Sequence, residues 1–222
     1  MNNNIPDCRR EVHSICRENL RKTVLSENIP ILKVNIEYPC ICGDEVPFYK
    51  KFNDFYKSLS SNYEKYCEKI LSRKIENRRK NIDSFRPYGE IMKYFISLNS
   101  ERYISVVLDI THYDGYFNKC LRISHVWDTQ KGIILPVEFF LGKANLNVRK
   151  LRREICSLIY ERVEKGGEEF HNTEGRIRRF AHRVNPENFF LVDGGIAFWF
   201  PVGTIAPESE GFPAYVIKSE YI

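Results

Sequence analysis

Three residues near the middle of the chain carry acid–base potential: Asp109, His112 and Asp114. A histidine oriented by a carboxylate is a usable general base. Alternate side chains of an extended strand leave opposite faces, so Asp109 and His112 point away from each other. The spacing predicts a strand-end histidine beside a turn rather than a catalytic pair. His125 stands two residues from Trp127 on an apolar face and reads as a core histidine with its polar atoms satisfied. Cysteine is the other reactive group. Cys40-Ile41-Cys42 puts two sulfurs on one side of a strand, but no CxxC or HxxxH segment supplies the other ligands of a zinc site, and no metal is expected. Seven cysteines are an odd number for a closed disulfide framework, and all are taken as reduced thiols. Cys120 or Cys156 with a remote histidine would make a nucleophile, but nothing in the chain order selects such a pair.

Gly166-Gly167-Glu168-Glu169-Phe170 spells the signature of diguanylate cyclases. That site needs a hairpin and upstream metal-binding aspartates. Here a basic helix precedes the segment and a polar run follows it, so it reads as a helix end with two glycines. No nucleophile elbow, Walker motif, dinucleotide fingerprint or HExxH is present. No catalytic residue and no cofactor is assigned, and the reading leans away from an enzyme. Lys plus Arg number 34 against 29 Asp plus Glu, a net charge of +5. The basic residues form three local runs: Arg73 to Lys80, Arg149 to Arg153, and Arg176 to Arg179. Such runs usually sit on solvated helix faces, and nucleic acid is not the expected partner.

The elements that must position these residues follow from periodicity. Val12, Ile15, Cys16, Leu20 and Val24 recur at helical spacing, predicting a helix from Cys8 to Glu27. Ile31 to Tyr38 alternates as a strand and Pro39 to Pro47 breaks it. Phe48, Phe52, Phe55, Leu59, Tyr63, Tyr66, Cys67 and Ile70 form one aromatic helix face. A cofactor or peptide groove is conceivable there, but packing against a sheet is the expected role. From Glu90 the period becomes two. Strands at 90–98, 102–113 and 121–127, separated by Asn99-Ser100 and Asp114-Gly115, form an antiparallel meander. Asn145 is expected to cap a helix to Val163, followed by a short helix over 173–182. Phe189–Val192 and Ile196–Phe200 flank the hairpin signal Asp193-Gly194, and Ala214–Ile217 is a last strand. The fold class is α+β: antiparallel meander sheets covered by amphipathic helices. It divides into a helical extension (1–30), a helix-plus-meander lobe (31–135) and a C-terminal lobe (136–222). Aromatics at 14%, with 15 Phe and 13 Tyr, are assigned to the helix stripe and the 189–200 hairpin, both as core.

The run from Asn185 to Ile217, NPENFFLVDGGIAFWFPVGTIAPESEGFPAYVI, resembles the C-terminal domain of unknown function in RsiV-type anti-sigma factors. Ile205, Ala206, Pro207 and Gly211 match that family's loop before the final strand. Tyr103–Tyr113 with His125–Phe140 resembles its paired strands, and Asn35–Ile70 its companion domain, shared with PdaC-type peptidoglycan deacetylases. The resemblance implies an α+β ligand-binding or sensor module. Such relatives sit outside the cell on a membrane anchor, and RsiV binds lysozyme. This sequence departs in three places. No stretch of about 18 apolar residues spans a membrane, the family's Gly-Gly-Ala-His turn is Asp114-Gly115-Tyr116-Phe117, and the aromatic after the loop proline is Glu208.

The expected function is a bacterial, non-enzymatic module that binds a protein or cell-wall ligand through two loops. Tyr113, Asp114, Tyr116 and Phe117 lie in one; Ile205, Pro207 and Glu208 lie in the other. The alternatives are a cell-envelope enzyme or accessory domain, and an adaptor for polyanions. Lacking a signal peptide profile, the chain is expected in the cytoplasm.

Overall fold

The computed structural model describes residues 12–43, 46–79, 85–164 and 183–219. The segment predicted as an N-terminal helix is instead strand β1 (Ile15–Ser26), paired along its whole length with β2 (Ile29–Ile41). Leu20 and Val24 fit both periods. The deciding feature is the turn Glu27-Asn28, where both residues adopt left-handed backbone (φ 52° and 66°). Two such residues make the tight hairpin that joins twisted antiparallel strands. The far end of this hairpin is closed by a disulfide between Cys16 and Cys42. The expectation of seven reduced thiols is corrected by that bond: Cys16 was assigned to a helix, which hid its approach to Cys42. Cys40, Cys67 and Cys120 are free thiols.

Strand β2 runs through Pro39, which is compatible with a ladder because β2 is bordered there only by β1. It pairs in parallel with β3 (Tyr88–Asn99), and a parallel pair needs a crossover. That crossover is α1 (Pro47–Tyr66), a five-residue π-turn (Cys67–Leu71) and α2 (Ser72–Arg79). Pro47 at the first turn starts α1 without losing a needed N–H. Phe48, Phe52, Tyr56 and Ser60 are its buried residues. The stripe thus differs from the expected one: Tyr56 is fully buried, whereas Tyr66 and Ile70 face solvent. The π-turn inserts an extra residue and rotates the face, so Cys67 stays inward and Ile75 takes the place of Ile70.

Strands β3, β4 (Tyr103–Tyr113) and β5 (Asn118–Asp128) form the expected meander. A two-residue β6 (Ile133–Ile134) pairs with Trp127 and Asp128 and completes a six-stranded sheet in sequence order. Its inner face, with Leu32, Ile36, Met92, Ile104, Val106 and Leu108, packs under α1.

The outer face carries a second layer. α3 (Val137–Lys143), at the start of the C-terminal lobe, leads to α4 (Val148–Glu164). Asn147, not Asn145, caps α4, its Oδ1 accepting the Lys150 N–H at 2.9 Å. Asn145 instead takes left-handed backbone after α3. A three-stranded sheet of β7 (Phe189–Val192), β8 (Gly195–Trp199) and β9 (Ala214–Lys218) follows, built on the predicted Asp193-Gly194 turn. One core joins these elements to Tyr103 and Val126 of the large sheet. Val107 meets Phe190 and Trp199, and the buried Ser105 Oγ accepts the Leu191 N–H at 3.0 Å. The architecture is α+β, with helix, large sheet and small sheet stacked in that order. Residues 166–170, the expected helix over 173–182, His171 and the basic run 176–179 lie outside the described residues.

Candidate binding surface

The first candidate loop is the turn between β4 and β5. Asp114 Oδ1 accepts the N–H groups of Phe117 and Tyr116 at 2.9 and 3.1 Å, and these bonds hold its carboxyl below the usual carboxylate range. Asp114 N–H donates to the Phe117 carbonyl, and Tyr113 OH donates to the Gly115 carbonyl at 2.5 Å. Gly115 has φ 95°, and a Cβ there would meet Arg86 at 3.2 Å; only glycine fits. The turn is thus locked from within while its rings point out. Tyr116 is 53% exposed and Phe117 74%, with the Arg86 guanidinium over the Tyr116 ring. The exposed apolar run continues along the inner face of β5 through Leu121 (64%) and Ile123 (41%). They share a face with His125 and Trp127, the alternate residues of the same strand. α1 covers His125 and Trp127 through Phe55, whereas Ile123 borders the open groove beside the helix.

The second candidate loop, between β8 and β9, divides. Ile205 is fully buried with Ala206 in the outer core, so its assignment as a contact residue is corrected: it anchors the loop. Glu208 is exposed at the head of a short 3-10 turn and Pro207 is half-buried before it. Glu210 reaches Arg162 of α4 at 3.5 Å.

The histidines resolve as two separate arrangements. Asp109 and His112 do face opposite ways. Asp109 makes a two-pronged pair with Arg122, both distances 2.7 Å, beneath Phe95 and Phe212. His112 Nδ1 meets Glu90 Oε1 on the inner face, and Glu90 Oε2 accepts the Tyr63 hydroxyl at 2.5 Å. Glu90 is only 2% exposed and was not singled out by the sequence. The signal was present in register, since Glu90 and His112 are cross-strand partners, but register requires knowing which strands pair. The nearby Cys67 thiol is pushed up to about 12 by burial and by Glu90, so it stays protonated and is a poor nucleophile. His125 is a core histidine, as expected. Its Nδ1 lies 3.3 Å from Tyr56 OH, which accepts Trp127 Nε1–H at 3.1 Å, and burial lowers its pKa to about 4. Among the described residues no group of three His, Cys, Asp or Glu side chains is placed to hold a metal.

Between α1 and the inner face lies a groove of about 850 Å³, lined by Lys51, Asp54, Ser58 and Asn62 on its helix rim and by Ile110, Ile123 and Trp127 on its floor. The basic runs on α2 and α4 do not converge: Ile75 of α2 packs under the inner face, and Leu151 and Ile155 of α4 pack over the outer one. No helix among the described residues is long and apolar enough to cross a membrane.

No protein-family model and no curated protein matches the sequence. Solved structures do match in fold. A DUF3298 family member from Bacteroides fragilis superposes with a TM-score of 0.61 at 14% identity, covering 95% of this chain and 92% of its own. A DUF3298 family protein from Pseudomonas aeruginosa gives 0.53 at 13% identity, covering 92% and 90%. The chain therefore has the fold seen in those two proteins, over nearly its whole length.

Proposed function

We propose that the chain is a non-catalytic module that binds a protein or cell-wall ligand, with the β4–β5 hairpin as its contact point. One observation carries this reading: a turn locked by its own hydrogen bonds displays Tyr116 and Phe117 to solvent. A rigid scaffold presenting exposed rings on a loop is the usual arrangement of a recognition site, because aromatic anchors bury much area with little loss of freedom. The resemblance to RsiV-type sensor domains supports the same reading. The Cys16–Cys42 bond supports an oxidising compartment over the expected cytoplasm, since cytosolic couples keep thiols reduced. In protein isolated and denatured without reductant, the Cys16 and Cys42 thiols would then react with a thiol reagent only after a reductant is added.

The test replaces Phe117 with a photo-crosslinking phenylalanine analogue in the full chain and also measures binding to lysozyme and to peptidoglycan fragments. A crosslinked or bound partner that is lost in a Tyr116→Ser, Phe117→Ser double variant of unchanged stability supports the reading. Partner binding indifferent to that variant overturns it. A second reading, a cell-envelope enzyme, is favoured by the His112–Glu90 contact alone. It requires His112→Gln to abolish a hydrolytic activity while leaving the unfolding midpoint near that of the wild type.

A further inference from the structure

One edge of the six-stranded sheet is both open and apolar. β6 pairs only with Trp127 and Asp128, and the Leu135 N–H donates to the Val126 carbonyl at 2.8 Å. That bond fixes the phase of β5: the polar backbone groups of Val126 point off the edge. Backbone groups alternate along a strand, so the N–H and C=O of Cys120, Arg122 and Ser124 point off it as well. Among the described residues nothing pairs with them. The intervening residues turn their side chains toward the α1 side. These are Lys119, Leu121 and Ile123, and all three are exposed. Lys119 makes no salt bridge among the described residues. Directly inside this edge lies the groove of about 850 Å³ between α1 and the sheet, with Ile123 in its floor and Ser58 and Asn62 on its rim.

We infer that the β5 edge accepts an extended segment of a partner protein as an added strand, with an acidic side chain opposite Lys119 and apolar side chains opposite Leu121 and Ile123. Three features select this occupant. A row of free N–H and C=O groups at strand spacing is satisfied in series only by another extended backbone. The side chains that such a strand turns toward α1 would overhang a groove of the size that takes apolar groups. Lys119 is exposed and makes no salt bridge among the described residues, its charge reaching only the field of Asp114, so an anion across the ladder, where opposite charges pair favourably, suits it. A second copy of this chain fits less well: from Lys119 to Trp127 the α1-facing residues of β5 include no acid, so a β5–β5 pairing leaves Lys119 without a partner. The inference rests on the binding reading above and adds the mode and the chemistry of the partner.

The experiment uses the full chain and two fluorescein-labelled peptides of about ten residues. One contains Glu-Thr-Val-Thr-Val and the other the reverse order, so that both strand directions are sampled. One peptide is expected to bind saturably by anisotropy and to slow amide exchange at Cys120, Arg122 and Ser124. Lys119→Glu, a surface change that should leave the unfolding midpoint in place, weakens binding at least tenfold, and a peptide with Lys in place of Glu restores it. Proline at the Thr between the two Val removes binding of the antiparallel peptide, because that Thr would exchange hydrogen bonds with Arg122. The idea is overturned if neither peptide binds, if binding ignores both Lys119→Glu and the proline, or if sedimentation shows that the chain dimerises through β5 instead. The Tyr116→Ser, Phe117→Ser variant keeps peptide binding. Loss of a natural partner in that variant, with neither peptide binding wild type, therefore sinks strand addition and leaves the hairpin reading intact.

Discussion

The two edges of the large sheet are built on opposite plans. β1 exposes Arg17, Glu18, Asn19 and Arg21, holds Arg17 against Glu37 and Lys22 against Glu68, and is stapled to β2 by Cys16–Cys42. Charged side chains are one means by which sheet proteins keep an edge from pairing. β5 exposes Leu121 and Ile123 with one lysine beside them and a groove behind. The contrast is one of degree, since β1 also exposes Leu25 near its hairpin turn, but its middle is charged where the middle of β5 is apolar. The exposed rings of Tyr116 and Phe117 stand at the tip of the open edge, not the closed one.

The comparison sets a scale for mutations, beginning with the core that both edges share. Phe52 is fully buried under α1, so Phe52→Ala should lower stability by about 4 kcal/mol. Denaturant unfolding reads this directly, and a loss under about 1 kcal/mol would show that α1 does not set the stability of the sheet. Cys16→Ser should lower stability by about 3.5 kcal/mol, the entropy of closing a loop of this length. Amide exchange should then rise in β1 and not in β5; equal rises would erase the distinction between the edges.

The next effect is a pH dependence near the open edge. The folded pKa of His125 is about 4, below its ordinary 6.5, so the unfolded chain binds the proton more readily between those values. Stability is therefore full above about pH 6.5 and falls as the pH drops toward 4, by about 2 kcal/mol at pH 5. In His125→Phe this part of the slope should vanish; an unchanged slope would place the titration elsewhere. The smallest effect is expected at the edge itself. Leu121→Lys should change stability by less than about 0.5 kcal/mol, because the side chain is already in water. It should nonetheless reduce any binding that depends on the β5 edge.

Much of the fold was legible from pattern. The meander from Tyr88 to Asp128 shows because one face alternates cleanly, and the β7–β8 hairpin shows because Asp193-Gly194 is a turn with a mechanism. β1 was not legible. Its apolar residues satisfy a period of four as well as of two, and the turn that decides between them, Glu27-Asn28, lacks the glycine that usually marks it. The rotation of the α1 stripe after Tyr63 was also hidden, since a π-turn has no residue signature. Of the candidate site, the turn at Asp114 was readable from its Asp-Gly step. The burial of Ile205 was not, because a loop residue enters a core only when another element, here α4, arrives over it.

The sequence by itself determined the α+β class and the turns at Asp114-Gly115 and Asp193-Gly194, since these depend on residues close along the chain. Only the tertiary structure decided that Glu90 meets His112, that Cys16 bonds Cys42, and that β5 ends the sheet with its apolar side uncovered. Each of those depends on which strands become neighbours, and pairing is a property of the whole sheet's burial rather than of any one segment.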